Sequence, residues 1–298
     1  MKKARLIYNP TAGREEIRKN LPDILTILED AGLETSCYAT KKPGDGVEAA
    51  RRAVAHGYDV VIAAGGDGTI YEVVNGLAES PERPQLGIIP GGTTNDFARA
   101  NGLPRQIKKA CQVIGDGHTI PIDVGKLNDR YFINIAGGGW MTDVTYEVPS
   151  KLKTVIGQLA YYAKGLEKLP SIRPIRIRLE SNDQVLEETV MLFLIANSKS
   201  VGGFEKLAPK AELSDGLFDV IVVKKTTLAE FIRLAGLAIR GEHIHDPQII
   251  HFQTNRLRIS SPDKVVLNLD GELGGELPCE FKVLSHHFQL LTPKGRSA

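Results

Sequence analysis

The chain has 298 residues, about twice a common domain length, so two domains with cores of their own are expected. A hydrophobic fraction of 42 % with 24 % charged residues excludes a disordered, fibrous or coiled-coil chain. Thirty-seven basic against 36 acidic residues leave a net charge of +1, which argues against a nucleic-acid binder. Ala4 to Tyr8 reads as a strand, broken by Asn9-Pro10-Thr11-Ala12-Gly13. A helix is expected over 15–31, where Ile17, Leu21, Ile24, Leu25 and Leu28 recur near helical spacing and Gly32 stops the run. A strand over 33–39, a helix over 46–56 and an apolar strand over 59–64 follow, then a helix over 69–77 and a strand over 85–89 leading into Pro-Gly-Gly and another helix. Strands apolar on both faces, alternating with helices, predict a parallel sheet covered on each side.

Beyond residue 125 the pattern changes. Strands are expected over 130–136, 172–180, 186–197, 218–224, 257–260, 264–270 and 281–284, with helices over 151–168 and 228–240. In Ile175-Arg176-Ile177-Arg178-Leu179 the apolar residues face one way and the arginines the other. The fold class is therefore an α/β N-terminal domain with a parallel sheet plus a mainly antiparallel β-sandwich C-terminal domain. The expected division is 1–125 and 126–285, the tail 286–298 returning to the first domain. Three widely spaced cysteines, with no signal-peptide pattern and no apolar run of bilayer length, point to a cytoplasmic protein that touches a membrane only at its surface.

Three loops follow strands of the parallel sheet, where ligands of such sheets bind. Ala64-Gly65-Gly66-Asp67-Gly68-Thr69 lets backbone N–H groups approach a phosphate at a helix start. Asp67 would repel a bare phosphate, so its presence there makes sense with Mg²⁺ or water between the two. The competing reading is a turn capped by Asp67 or Thr69. The loop is neither a Walker A sequence nor a GxGxxG fingerprint, since Tyr71 stands where the third glycine would be. Asn9 to Gly13 and Pro90-Gly91-Gly92-Thr93-Thr94-Asn95-Asp96-Phe97 have the same character, and each is also readable as a capped turn.

These loops, with Ile122-Asp123-Val124-Gly125 and Leu269-Asp270-Gly271-Glu272, resemble the diacylglycerol kinase catalytic family, specifically its soluble bacterial lipid kinases, over nearly the whole chain. Gly-Gly-Asp-Gly-Thr is shared with NAD kinases and phosphofructokinases; the block from Pro90 to Ala98 with a late Asp-Gly-Glu is far more specific to lipid kinases. The resemblance implies ATP at Asn9, Pro10, Thr11, Ala12, Gly13, Thr40, Gly66, Asp67, Gly68, Thr69, Ile70, Tyr71, Glu72 and Thr93. It also implies a magnesium and water network of Asp67, Asp96 and Asp123, with Glu272 as general base. A second, structural magnesium is expected at Glu212, Asp215 and the carbonyl of Leu217, the glutamate contributing its side chain or only its backbone. Homodimerisation is implied by the same resemblance.

Physical chemistry agrees with these roles: phosphoryl transfer needs charge neutralisation, a positioned acceptor and a nearby base. Left to the residues alone, Asp270-Gly271 is a hairpin turn with a solvated acid, and Ser214 to Phe218 is a capped turn. His243-Ile244-His245 and His286-His287 read as surface histidines rather than zinc ligands. The row Arg173, Arg176, Arg178 with Lys151, Lys153, Lys164 and Lys168 is either a solvated face or a cationic membrane face. The apolar stripe from Leu228 to Ile239 is expected to pack on the sheet rather than enter a bilayer. The expected activity is thus a Mg²⁺-dependent transfer from ATP to the hydroxyl of diacylglycerol at the inner membrane face. A sphingoid base, polyprenol or glycerophospholipid is the nearest alternative acceptor; an NAD kinase and a non-enzymatic nucleotide sensor are more distant readings.

Overall fold

The computed structural model describes residues 1–139, 173–182, 184–199 and 206–295, which form two compact units: 1–124 with 285–298, and 125–284. In the first unit the chain runs β1 (Lys2–Tyr8), α1 (Glu16–Lys19), α2 (Leu21–Asp30), β2 (Leu33–Ala39), α3 (Asp45–Ala55), β3 (Val60–Gly65) and α4 (Asp67–Leu77). It continues through β4 (Gln85–Pro90), α5 (Asp96–Ala100), α6 (Ile107–Asp116) and β5 (Thr119–Leu127), whose last residues belong to the second unit. The strands β2, β1, β3 and β4 lie side by side in that order, all parallel. Every residue of β3 is buried, as a central strand covered on both faces requires. One face packs Leu6, Val60, Ile62 and Ile89 against Ile17, Ile24, Leu28, Ala110 and Ile114 of α1, α2 and α6.

In the second unit come β6 (Arg130–Phe132), β7 (Ile135–Gly139), β8 (Ile175–Ser181), β9 (Val185–Ala196) and β10 (Phe218–Lys224). They are followed by α7 (Leu228–Arg240), β11 (Ile249–Thr254), β12 (Arg256–Ser260), β13 (Val266–Leu269), β14 (Glu272–Glu276) and β15 (Cys279–Leu291). Pairing is antiparallel throughout this unit: β14 on β13, β13 on β7, β7 on β9, β8 on β9 and on β12, and β10 between β9 and β11. The start of β15 pairs with β12. Phe132 stacks on Phe218 at 5.5 Å between ring centroids and meets Phe281 edge-on at 6.3 Å, in a core where all three are fully buried. The end of β15 belongs to the first unit, where Leu290 pairs in parallel with Leu86 of β4.

Several elements differ from the sequence reading, each for a local reason. The helix expected over 15–31 is two helices, because Pro22 supplies no N–H at the start of α2 and the Asn20 amide donates back to the Glu16 carbonyl at 2.8 Å. The strand expected over 130–136 is also two, β6 and β7, separated at Ile133-Asn134. α6, β5, β11 and β14 were not expected as elements, and β15 runs far beyond 281–284. The surface-histidine reading fails at His243, which is 3 % exposed with Nε2 at 2.9 Å from the Leu207 carbonyl. Arg178 pairs with Glu180 and Glu187, and Arg176 lies 3.9 Å from Asp263, so that part of the arginine row is a paired, solvated face. The helix expected over 151–168 with Lys151, Lys153, Lys164 and Lys168, and the strand start at 172, lie outside the described residues.

α7 begins with a reciprocal cap: Thr227 accepts from the Glu230 N–H, while the Glu230 carboxylate accepts from the Thr227 N–H. Its Phe231 and Leu234 join the apolar layer with Leu194, Ile221 and Val223, Leu237 packs against it, and Leu228, Ile232 and Ile239 are left exposed. No helix among the described residues is long and apolar enough to cross a membrane. The described cysteines form no disulfide, and burial pushes the Cys111 and Cys279 thiols up to about 12.

Candidate active site

Four strand ends of the parallel sheet are stitched side by side by backbone hydrogen bonds. The Thr40 N–H donates to the Tyr8 carbonyl at 2.9 Å, Asn9 to Ala64 at 3.1 Å, and Gly91 to Gly65 at 2.7 Å. The loops after β1, β3 and β4 therefore meet at one edge, and only glycine fits where they meet. A methyl group on Gly13 would collide with the Gly91 carbonyl oxygen, and one on Gly92 would lie 2.7 Å from the Gly66 Cα. Gly13 also opens a left-handed turn, with φ +54 there, +59 at Arg14 and +66 at Glu15. In the first loop the Asn9 carboxamide oxygen accepts from the Thr11 N–H at 3.0 Å and from its hydroxyl at 2.9 Å.

The capped-turn alternative fails at α4, whose N-cap Gly66 has no side chain, but it describes part of the other two loops, where Asn9 and Asn95 accept N–H groups within their own turns. At α5 the N-cap Asn95 makes no side-chain cap of its own, and the first N–H groups face the Asp67 carboxylate instead. Asp67 is the first residue of α4 itself. N–H groups in a first helical turn have no intrahelical acceptor, so an uncapped start favours an anionic ligand.

Asp67 and Asp96 are brought together. Burial and then the Asp96 charge push the Asp67 carboxyl up to about 6, against opposing help from the backbone N–H groups of Phe97, Asp96 and Asn95. Its Oδ1 is buried without a hydrogen-bond partner. Asp96 is held at 2.6 Å by Arg99, one turn along α5. An orphaned carboxylate oxygen beside a second carboxylate fits a hard cation. Asp123 is fully buried and accepts the His286 N–H at 2.7 Å, which ties β5 to the returning β15. Among the described residues no three His, Cys, Asp or Glu side chains gather closely enough to hold a metal, so Asp67, Asp96 and Asp123 are not a preformed cluster.

The other expected contact residues divide by what their side chains do. Glu72 accepts the Gly44 and Gly46 N–H groups, each at 2.8 Å, and so fastens α4 to the start of α3. Ile70 is 1 % exposed and Thr69 is also buried, which leaves only their backbones for a ligand. Pro10, Ala12, Thr40, Gly66 and Tyr71 are partly buried; Thr11, Gly68 and Thr93 are exposed.

Asn95 is a residue the sequence reading gave no role. It is 2 % exposed, adopts φ +49, and clamps Gly92 with both ends of its amide: Oδ1 accepts the Gly92 N–H at 2.9 Å and Nδ2 donates to the Gly92 carbonyl at 2.6 Å. An asparagine in a glycine loop is an ordinary turn residue, so only the tertiary contact shows the clamp. Asn95→Ala is expected to cost about 2 kcal/mol in urea denaturation, from two lost hydrogen bonds and a poorer left-handed residue. Asn95→Asp is expected to cost at least as much, because a carboxylate oxygen would then face the Gly92 carbonyl.

In the second unit Glu272 is exposed and opens β14, opposite Leu269 of β13. The turn between them is Asp270-Gly271, both left-handed, with φ +50 and +96. Glu212 and Asp215 are exposed; Asp215 Oδ1 accepts the Leu217 N–H at 2.9 Å, as in a capped turn. The donor set of Glu212, Asp215 and the Leu217 carbonyl is all oxygen, which suits Mg²⁺ or Ca²⁺ chemically.

The sequence matches the Diacylglycerol kinase catalytic domain over residues 3–127 and the YegS C-terminal NAD kinase beta sandwich-like domain over residues 141–292. A diacylglycerol kinase of Bacillus subtilis (strain 168) is 54 % identical over 298 residues, all of this chain and 98 % of the relative. One from Staphylococcus carnosus (strain TM300) is 50 % identical over 98 % of this chain and 96 % of the relative. A solved structure from Bacillus anthracis str. Sterne superposes with a TM-score of 0.85 at 31 % identity, covering 98 % of this chain and 96 % of that one. Another from the same organism, described as a diacylglycerol kinase, gives 0.78 at 28 % identity over 98 % and 97 %.

Proposed function

The chain belongs to the diacylglycerol kinase family, and from that premise we propose that it transfers the γ-phosphoryl group of ATP to the free hydroxyl of diacylglycerol, giving phosphatidic acid and ADP. The observation that carries this reading is the meeting of three glycine loops around the uncapped start of α4, with the Asp67–Asp96 pair beside it. Donors aimed at phosphate oxygens and paired carboxylates are the parts that phosphoryl transfer requires. Asp67 and Asp96 would hold Mg²⁺, which when bound offsets negative charge on the β and γ phosphates. Asn9 to Gly13, Thr40, the backbone of 66–72 and Thr93 would bind the nucleotide. Asp123 would support this set from β5, where it is buried and bonded to the returning β15.

Glu272 takes the proton from the acceptor hydroxyl as its oxygen bonds to phosphorus and the ADP oxygen departs. Because the acceptor is a membrane lipid, the enzyme works transiently at the inner membrane face, and by family resemblance as a homodimer. A second Mg²⁺ at Glu212, Asp215 and the Leu217 carbonyl would brace the loop before β10. Asp215→Ala is then expected to lower the melting temperature measured in millimolar Mg²⁺ by a few degrees, and a shift independent of Mg²⁺ would remove the metal.

The test is labelled ATP offered with a panel of detergent-dispersed lipids, with and without Mg²⁺. Label is expected in diacylglycerol, and only with the metal. Label in a sphingoid base, polyprenol or glycerophospholipid would move the acceptor; label in NAD would replace the lipid reading altogether. ATP binding with no acceptor labelled at all would point to the nucleotide sensor.

A further inference from the structure

We propose that Asp270 is a positioning residue for this reaction: it locks the turn that carries Glu272 and so aims the base. The inference rests on the assignment of Glu272 above and goes one residue shell further. A two-residue Asp-Gly turn closes an antiparallel pair with no help from other segments. Here the turn is gripped from outside the hairpin. The Asp270 carboxylate accepts three backbone N–H groups in a row, from Ile133 at 2.7 Å, Asn134 at 2.9 Å and Ile135 at 2.8 Å, while its own N–H donates to the Ile135 carbonyl at 2.9 Å. Within the hairpin, the Gly271 N–H also donates to Asn268 Oδ1 at 2.8 Å.

The gripped segment is itself held from a third direction. The Asn197 N–H donates to the Asn134 carbonyl at 2.8 Å, the Asn197 amide to the Ile133 carbonyl at 3.0 Å, and the Ser198 hydroxyl to Asn134 Oδ1 at 2.7 Å. Asn134, Asn197 and Ser198 are all at most 5 % exposed. A buried, mutually bonded polar layer of this kind has one low-energy arrangement, because each displaced group would be left unsatisfied away from water. Asp270 fixes one end of the two-residue turn before the exposed Glu272, and the Gly271 N–H bond to Asn268 Oδ1 holds the residue between them. A general base works only within hydrogen-bond reach of its proton, and a displacement of about 1 Å can cost a hundredfold in rate.

The experiment compares the parent with D270N, E272Q and the double variant in diacylglycerol phosphorylation, with melting curves showing that each is folded. Asparagine tolerates the left-handed turn but puts an NH₂ group against one of the three N–H donors. D270N is expected to lower kcat by about tenfold to a hundredfold, with the KM for ATP within about twofold. In the E272Q background the same change is expected to cost nothing more, since there is no base left to aim. If D270N does not fold, D270E carries the same expectation, keeping the charge but lengthening the arm that sets the turn. Parent-like kcat in D270N, or the same fold-loss repeated on top of E272Q, overturns the inference while leaving the base in place. Parent-like turnover in E272Q overturns the base assignment and the inference with it.

Discussion

Asp67→Asn is expected to abolish turnover and to make the protein more stable at neutral pH. The carboxyl is pushed from 3.8 to about 6 by burial and by Asp96. The folded chain therefore binds this proton more tightly than the unfolded chain. Below about pH 4 both states are protonated and the group is neutral to folding. As pH rises toward 6 the unfolded state ionises first, and above that the folded state carries the whole penalty, on the order of 3 kcal/mol for a shift of two units. Asparagine keeps the shape and an oxygen for the N–H groups of residues 95–97, and it removes the charge that burial and Asp96 oppose. The melting temperature near pH 7 is expected to rise by several degrees, the gain shrinking to nothing near pH 4. Activity is expected to fall by about a thousandfold or more, because the neutral amide no longer supplies a negative oxygen for a cation at the phosphates. A variant that is inactive and less stable would show Asp67 as a scaffold residue; an active one would take it out of the reaction. Stability lost at a site whose charge serves chemistry is the usual trade between the two.

The parts of this site that were legible in the sequence are those whose chemistry lies in the backbone. A glycine pair after an apolar strand announces a close approach whatever its partner, and the three loops at 9–13, 65–69 and 90–97 do approach one another at Gly13, Gly66, Gly91 and Gly92. β10 and α7 match the expected strand and helix to their end residues, because a bounded apolar run and an apolar helical stripe are local signals. What stayed hidden depends on partners far along the chain. Asp270 reads as a turn residue until Ile133, Asn134 and Ile135 are found against it. The bonds from Gly44 and Gly46 to the two Glu72 oxygens, which fasten α4 to α3, likewise have no local signal. β15 escaped because Ser285, His286 and His287 interrupt its apolar pattern, and its second half is fixed by pairing with β4 and by the bond from His286 to Asp123. α6 carried a readable stripe of Ile107, Ala110, Cys111 and Ile114 at helical spacing, three of them buried.

The second large effect is expected at Glu272, and it separates from the first by its signature. Glu272→Gln keeps the size, the β14 pairing with Leu269 and an exposed position, so stability is expected to stay within about 0.5 kcal/mol of the parent. It belongs to none of the loops assigned to the nucleotide, so the dissociation constant for ATP, read by calorimetry, is expected to be unchanged. Only proton removal from the acceptor is lost, and kcat is expected to fall by about a hundredfold to ten-thousandfold. Glu272→Asp retains a carboxylate on a shorter arm and is expected to fall between the two. A merely electrostatic role for Glu272 would weaken or tighten ATP binding when the charge is removed, and a merely structural one would lower the melting temperature; a base does neither. Asp67→Asn and Glu272→Gln should thus give two inactive proteins that part company on heating, one melting above the parent and one with it. That divergence follows from where each carboxylate stands, one in a buried pair that resists its charge and one at an exposed strand start.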